Sequence, residues 1–157
     1  MTYEEVPRVP AQYTGAADYA MPLEVRAVVG AGLSVPVAAR LRYHSAEPYA
    51  VHLDNHVDLD TPVTWVFARE LLAAGVSRSA GIGDVSVRPG EQAHPDSVLI
   101  SLGDDEGRVV LRAQTSLVRI FLAHTERIVP FGSEHGHLDT DGLIRRLLDD
   151  RPPEPGP

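Results

Sequence analysis

Tyr49-Ala50-Val51-His52-Leu53-Asp54-Asn55-His56-Val57-Asp58-Leu59 carries the cleanest two-residue alternation in the chain. Tyr49, Val51 and Leu53, then Val57 and Leu59, point one way, while His52, Asp54, His56 and Asp58 point the other. Successive side chains of a strand leave opposite faces, so this segment reads as a strand with one apolar and one solvated face, which is the mark of an antiparallel sheet. Ser45-Ala46-Glu47-Pro48 turns the chain before it, and Asp60-Thr61-Pro62 turns it after.

Working outward, Val37 to His44 alternates in the same way, with Val37, Ala39, Leu41 and Tyr43 on one side. Leu23 to Val29 is a strand ending at Gly30-Ala31-Gly32. Val63, Trp65 and Phe67 alternate, which predicts a core role for the two aromatic rings. Ala68 to Ala74 then supplies strong helix formers stopped by Gly75. Gly81 to Arg88 is a strand after a glycine-rich bend, and Ser97 to Leu102 and Val109 to Ala113 flank a polar hairpin loop. Thr115 or Ser116 can cap a helix with Leu117, Ile120, Phe121, His124 and Ile128 on one stripe. Asp139 or Asp141 starts a last helix facing Leu143, Ile144, Leu147 and Leu148 inward. Strands followed by helices predict an α+β domain over 23–150. Residues 1–22 read as a flexible tail and residues 151–157 as a disordered, Pro-rich one.

The chain has 157 residues, and its 43% hydrophobic and 23% charged content suits one globular domain. It contains no cysteine and no lysine, so all 14 basic residues are arginine. That excludes disulfides, thiolate sites, Schiff-base chemistry and the P-loop lysine. A net charge of −8 disfavours polyanion binding. No apolar run reaches the ~18 residues of a membrane span, and the N-terminus does not read as a secretory signal, so the expectation is a cytoplasmic protein without membrane insertion.

Two histidine groups invite a metal reading. On the strand, positions i and i+4 stand about 13 Å apart, so His52 and His56 cannot share an ion, and the face reads as solvated. In Glu134 to Asp141 a loop can bring His135, His137 and Asp139 together, but the spacing matches no established zinc signature, and Asp139 or Asp141 serves equally well as a helix cap. Gly81-Ile82-Gly83-Asp84 leads into a strand instead of a helix and is a turn. The expectation is therefore no catalytic residue, no cofactor and no metal.

Several segments resemble the SsgA-like family of actinobacterial sporulation and cell-division proteins. Leu41-Arg42-Tyr43 with Pro48-Tyr49-Ala50-Val51 is similar to the family's LRYxxxxPYAV segment. Trp65-Val66-Phe67-Ala68-Arg69-Glu70-Leu71-Leu72 with Gly75 is similar to WxFARDLLxxG. Gly81-Ile82-Gly83-Asp84-Val85-Ser86-Val87-Arg88-Pro89 resembles GxGDVxVxP, and Val129-Pro130-Phe131-Gly132-Ser133-Glu134 with His137 and Asp139 resembles VPxGxExxHxD. The resemblance implies curved antiparallel sheets with C-terminal helices in a whirly-like single domain, assembled as a homo-oligomer such as a trimer. It implies a non-enzymatic regulator at division septa that helps to position the division protein FtsZ, or acts with another family member. Pro48, Tyr49, His52, Asp54 and His56 are the expected partner-binding residues. The alternative is a single-stranded nucleic-acid-binding protein of whirly-like fold, and a third reading is a small metal enzyme centred on His135, His137 and Asp139.

Overall fold

A computed structural model describes residues 16–138. Seven strands, β1 (Tyr19–Gly30), β2 (Leu33–Tyr43), β3 (Ala50–Asn55), β4 (Val63–Ala68), β5 (Val85–Pro89), β6 (Ser97–Asp104) and β7 (Gly107–Gln114), form one sheet in the order β4-β3-β2-β1-β7-β6-β5. Every pairing is antiparallel. Helix α1 (Arg69–Gly75) follows β4, helix α2 (Thr115–Ile128) follows β7, and a 3-10 turn occupies Glu134–His137. The last helix expected after Asp139 and the Pro-rich tail lie outside the described residues.

The sheet is curled, and its connectivity shows why. Helix α1 leaves one edge strand, β4, yet packs against β5, the opposite edge. Only a sheet rolled toward itself brings those edges to a common helix. Gly75 makes that approach possible, because a Cβ built there would overlap Val87 of β5. Its role is close packing, since it is the last helical residue and Val76 is the cap. Gly75→Ala is expected to cost about 1–3 kcal/mol through overpacking, seen as a lower melting temperature with unchanged far-ultraviolet circular dichroism.

Inside the curl, Val25, Leu41, Tyr43, Val51, Leu53, Val87, Ile100 and Leu111 are buried with Phe121 of α2. Phe67 is buried and Trp65 packs against the same core, as their alternation predicts. Strand β1 begins at Tyr19, four residues before the expected boundary, because Tyr19–Pro22 continue the ladder opposite Arg40–Tyr43. The Tyr19 ring stacks on His124 at 4.3 Å, which makes His124 a packing residue.

The buried stripe of α2 is Val118, Phe121, Leu122 and Thr125, with Leu117 and Ile128 partly buried. Ile120, expected inward, is exposed. Five apolar residues between Leu117 and Leu122 define two overlapping stripes, and the sheet selects the one centred on Phe121. The cap residue is Gln114 and makes no side-chain cap bond, so neither Thr115 nor Ser116 plays that part.

Candidate functional site

Strand β3 keeps its alternation and loses its wet face. His52 and Asp54, expected on a solvated surface, are both 1% exposed. The cause is cross-strand cover: Arg42 lies opposite His52, Arg40 opposite Asp54, and Thr64 of β4 opposite Asp54 from the other side. Asp54 Oδ2 accepts from Arg42 Nε at 2.7 Å and Arg40 Nε at 2.9 Å, while Oδ1 accepts from Arg42 Nη2 at 2.9 Å and Thr64 Oγ1 at 2.6 Å. Burial pushes the Asp54 carboxyl up, but the bonds from Arg42, Thr64 and Arg40 outweigh it and hold the group below its ordinary range.

The other expected contact residues divide. Tyr49 and His56 are exposed, whereas Pro48 is buried and its carbonyl accepts a 2.8 Å bond from Tyr43 Oη. The strand stops at Asn55 because His56 takes a left-handed φ of 59°, which histidine tolerates better than most residues. Asp58 and Leu59 therefore belong to the following turn. His52 and Asp54 are corrected from contact residues to interior ones. His135 and His137 are exposed and join no three-donor cluster among the described residues, and Asp139 lies outside them.

Instead, three donors converge across the β2–β3 turn. His44, Glu47 and His52 each present a ligand atom within 4.8 Å of the others. The His52 Nε2 to Glu47 Oε2 distance is 3.4 Å, and the His44 and His52 rings meet edge-on at 4.9 Å. Burial, then Arg42 and His44, lower the His52 pKa to about 4, so its imidazole is neutral at pH 7.

A second feature that alternation does not reveal is Arg69, which is 1% exposed. Its Nη1 donates to the carbonyls of Val129 at 2.6 Å and Thr125 at 3.2 Å, and its Nη2 to Glu134 at 2.7 Å. The guanidinium also lies 4.2 Å from the Phe131 ring centroid and 5.1 Å from that of Tyr43. Glu134 closes the loop by accepting the Gly132 N–H at 2.8 Å. Its own backbone N–H and the Arg69 guanidinium hold its carboxyl below the usual carboxylate range. Tyr43, Arg69 and Glu134 come from three of the four motif segments, and Gly75 against Val87 joins the second to the third. The motifs are one structural junction.

A family model described as "Streptomyces sporulation and cell division protein, SsgA" matches residues 37–134. The chain belongs to the SsgA family. It is 43% identical over 126 residues to the sporulation-specific cell division protein SsgB of Streptomyces coelicolor, covering 80% of this chain and 92% of that one. SsgB of Kineococcus radiotolerans is 43% identical over 150 residues, covering 94% and 88%. Among solved structures, one concerned with SsgB of Streptomyces coelicolor superposes with a TM-score of 0.70 at 43% identity, covering 76% of this chain and 94% of that one. An SsgA-like protein from Thermobifida fusca gives 0.73 at 33%, covering 86% and 99%. The fold shared with these SsgA-family structures is the curled antiparallel sheet with its C-terminal helix. Within the family, the relatives named here are sporulation and cell-division proteins, and among the described residues no helix is long and apolar enough to cross a membrane.

Proposed function

We propose that this chain is a non-enzymatic adaptor in septum placement, acting as a homo-oligomer at division sites and engaging FtsZ or another member of its family. The observation that carries the oligomeric part is the β1–β2 hairpin. These strands pair along nearly their whole length, but β3 pairs with β2 only at Ala39–Arg42, and β7 with β1 only at Arg26 and Ala27. The hairpin end therefore lies outside both neighbouring ladders. It carries Val29 at 62%, Leu33 at 65% and Val35 at 46% exposure. An apolar, partly unpaired strand end is a surface that a second copy can cover. Tyr49, at 51% exposure beside the motif turn, is the remaining candidate for a heterologous partner.

The single-stranded nucleic-acid reading finds no support in the arginines of this region. Arg40 and Arg42 are engaged by Asp54, and Arg69 is interior. Leu33→Arg combined with Val35→Arg is expected to reduce the sedimenting mass to that of a monomer while the circular dichroism spectrum stays unchanged. Unaltered protein is expected to retain FtsZ or a family member in crosslinking pull-downs, and Tyr49→Ala to weaken that capture. A monomeric unaltered protein, or capture of neither partner, would refute the adaptor reading.

A further inference from the structure

His44-Ser45-Ala46-Glu47-Pro48-Tyr49-Ala50-Val51-His52 folds two imidazoles and a carboxylate to one point. We infer that His44, Glu47 and His52 form a binding site for a divalent transition-metal ion, with zinc the best match to the donors. Two nitrogens and one oxygen suit zinc and its neighbours and do not suit magnesium or calcium, which take oxygen shells.

Geometry carries the assignment. With metal bonds of about 2.0–2.1 Å, two ligands of a tetrahedral ion stand roughly 3.4 Å apart. The His52 Nε2 to Glu47 Oε2 edge is 3.4 Å, and all three donor atoms lie within 4.8 Å of one another. That edge is long for a charge-assisted hydrogen bond, which closes to about 2.7–2.9 Å. His52 Nδ1 is buried and has no hydrogen-bond partner among the described residues, so it can carry the ring proton while Nε2, which faces Glu47, offers its lone pair to an ion.

The frame is rigid before an ion arrives. Glu47 N–H donates to the His44 carbonyl at 3.0 Å, Ala50 N–H donates to the Glu47 carbonyl at 3.1 Å, and Tyr43 Oη holds Pro48. The side chain of Glu47 is 29% exposed while that of His52 is 2% exposed, so entry is from the Glu47 side and water can complete the fourth position. Of the surrounding charges, Arg42 is engaged by Asp54, and Asp18, which accepts the Ser45 N–H, adds a second negative group. A bound ion would clip β2 to β3 beside Pro48 and Tyr49. This goes beyond the adaptor reading and does not depend on it.

The test uses the full, untagged chain, stripped with chelator and titrated with zinc and with cobalt. One equivalent of each is expected, with visible cobalt bands of four-coordinate type and zinc-dependent shifts in the imidazole signals of His44 and His52. Glu47→Gln, at the partly exposed ligand, is expected to weaken zinc binding at least tenfold with the fold intact, and His52→Ala to abolish it. The double variant His135→Ala, His137→Ala is expected to bind as the unaltered chain does. Absence of stoichiometric binding overturns the assignment, as do unshifted His44 and His52 signals, equal affinity in Glu47→Gln, or loss of binding in the His135, His137 variant.

Discussion

Arg69→Ala is expected to lower stability by about 3–5 kcal/mol, as removal of one partner from a buried, hydrogen-bonded pair does. The substitution removes the donors that satisfy the Thr125 and Val129 carbonyls at the end of α2, together with the partner of Glu134. The Val129 carbonyl, stranded in the interior, loses its share of water as well as its bond, at about 1–3 kcal/mol, while the Thr125 carbonyl keeps the Val129 N–H. The rings of Tyr43 and Phe131 also lose the flat cation between them. Against a whole-domain stability of roughly 5–15 kcal/mol, this is among the largest single changes the chain can suffer. Urea unfolding followed by circular dichroism should show a lower midpoint with an unchanged slope. Arg69→Lys is expected to recover less than half of the loss, because one ammonium cannot reproduce a fork that reaches two carbonyls and a carboxylate. Glu134→Gln, which keeps an acceptor in place, should fall between the unaltered chain and Arg69→Ala. A midpoint for Arg69→Ala close to that of the unaltered protein would mean that the motif segments are held together by something other than this side chain.

Arg69 also marks where reading the sequence stops. Its partners lie 56, 60 and 65 residues away, so its interior position has no local signature, and a helix beginning Arg-Glu-Leu-Leu reads as an ordinary amphipathic start. The strands were legible because alternation is local: Val51 and Leu53, Leu41 and Tyr43, and Val25 all face the core as their spacing requires. What alternation cannot report is what covers the other face. His52 and Asp54 oppose the apolar side of β3, as expected, but whether that second side is wet depends on Arg40, Arg42 and Thr64 arriving from β2 and β4. The histidine cluster escapes alternation for a related reason: separation along β3 forbids a ligand shared by His52 and His56, whereas His44 meets His52 only across the turn. A signal was present, since the turn at 45–48 sets Arg42 opposite His52 and leaves His44 beside it.

Acid should weaken the fold in two separable steps, one for each of these buried groups. His52 has a folded pKa of about 4 against an ordinary 6.5, so between those values the unfolded chain binds more protons than the folded one. Its contribution is present in full above pH 6.5 and is lost as pH falls toward 4, a change of roughly 3 kcal/mol at about 1.4 kcal/mol per pH unit. Asp54 acts lower. Its carboxyl is held below 3.8, so the stability from its bonds persists above that value and disappears only as pH falls through the folded pKa. Arg42, 17% exposed, carries most of the interaction, and solvent screens the share of Arg40, which is 43% exposed. Asp54→Ala is therefore expected to cost about 3 kcal/mol at pH 7 by leaving Arg42 largely buried without its counter-charge, and to remove the step below pH 4. His52→Gln should instead flatten the slope between pH 6.5 and 4 and leave the lower step in place. Stability measured by urea unfolding from pH 7 to pH 3 separates the two. If Asp54→Ala left the acid limb unchanged, the β2–β3–β4 network would not be what acid breaks, and the interior assignment of that carboxylate would be wrong.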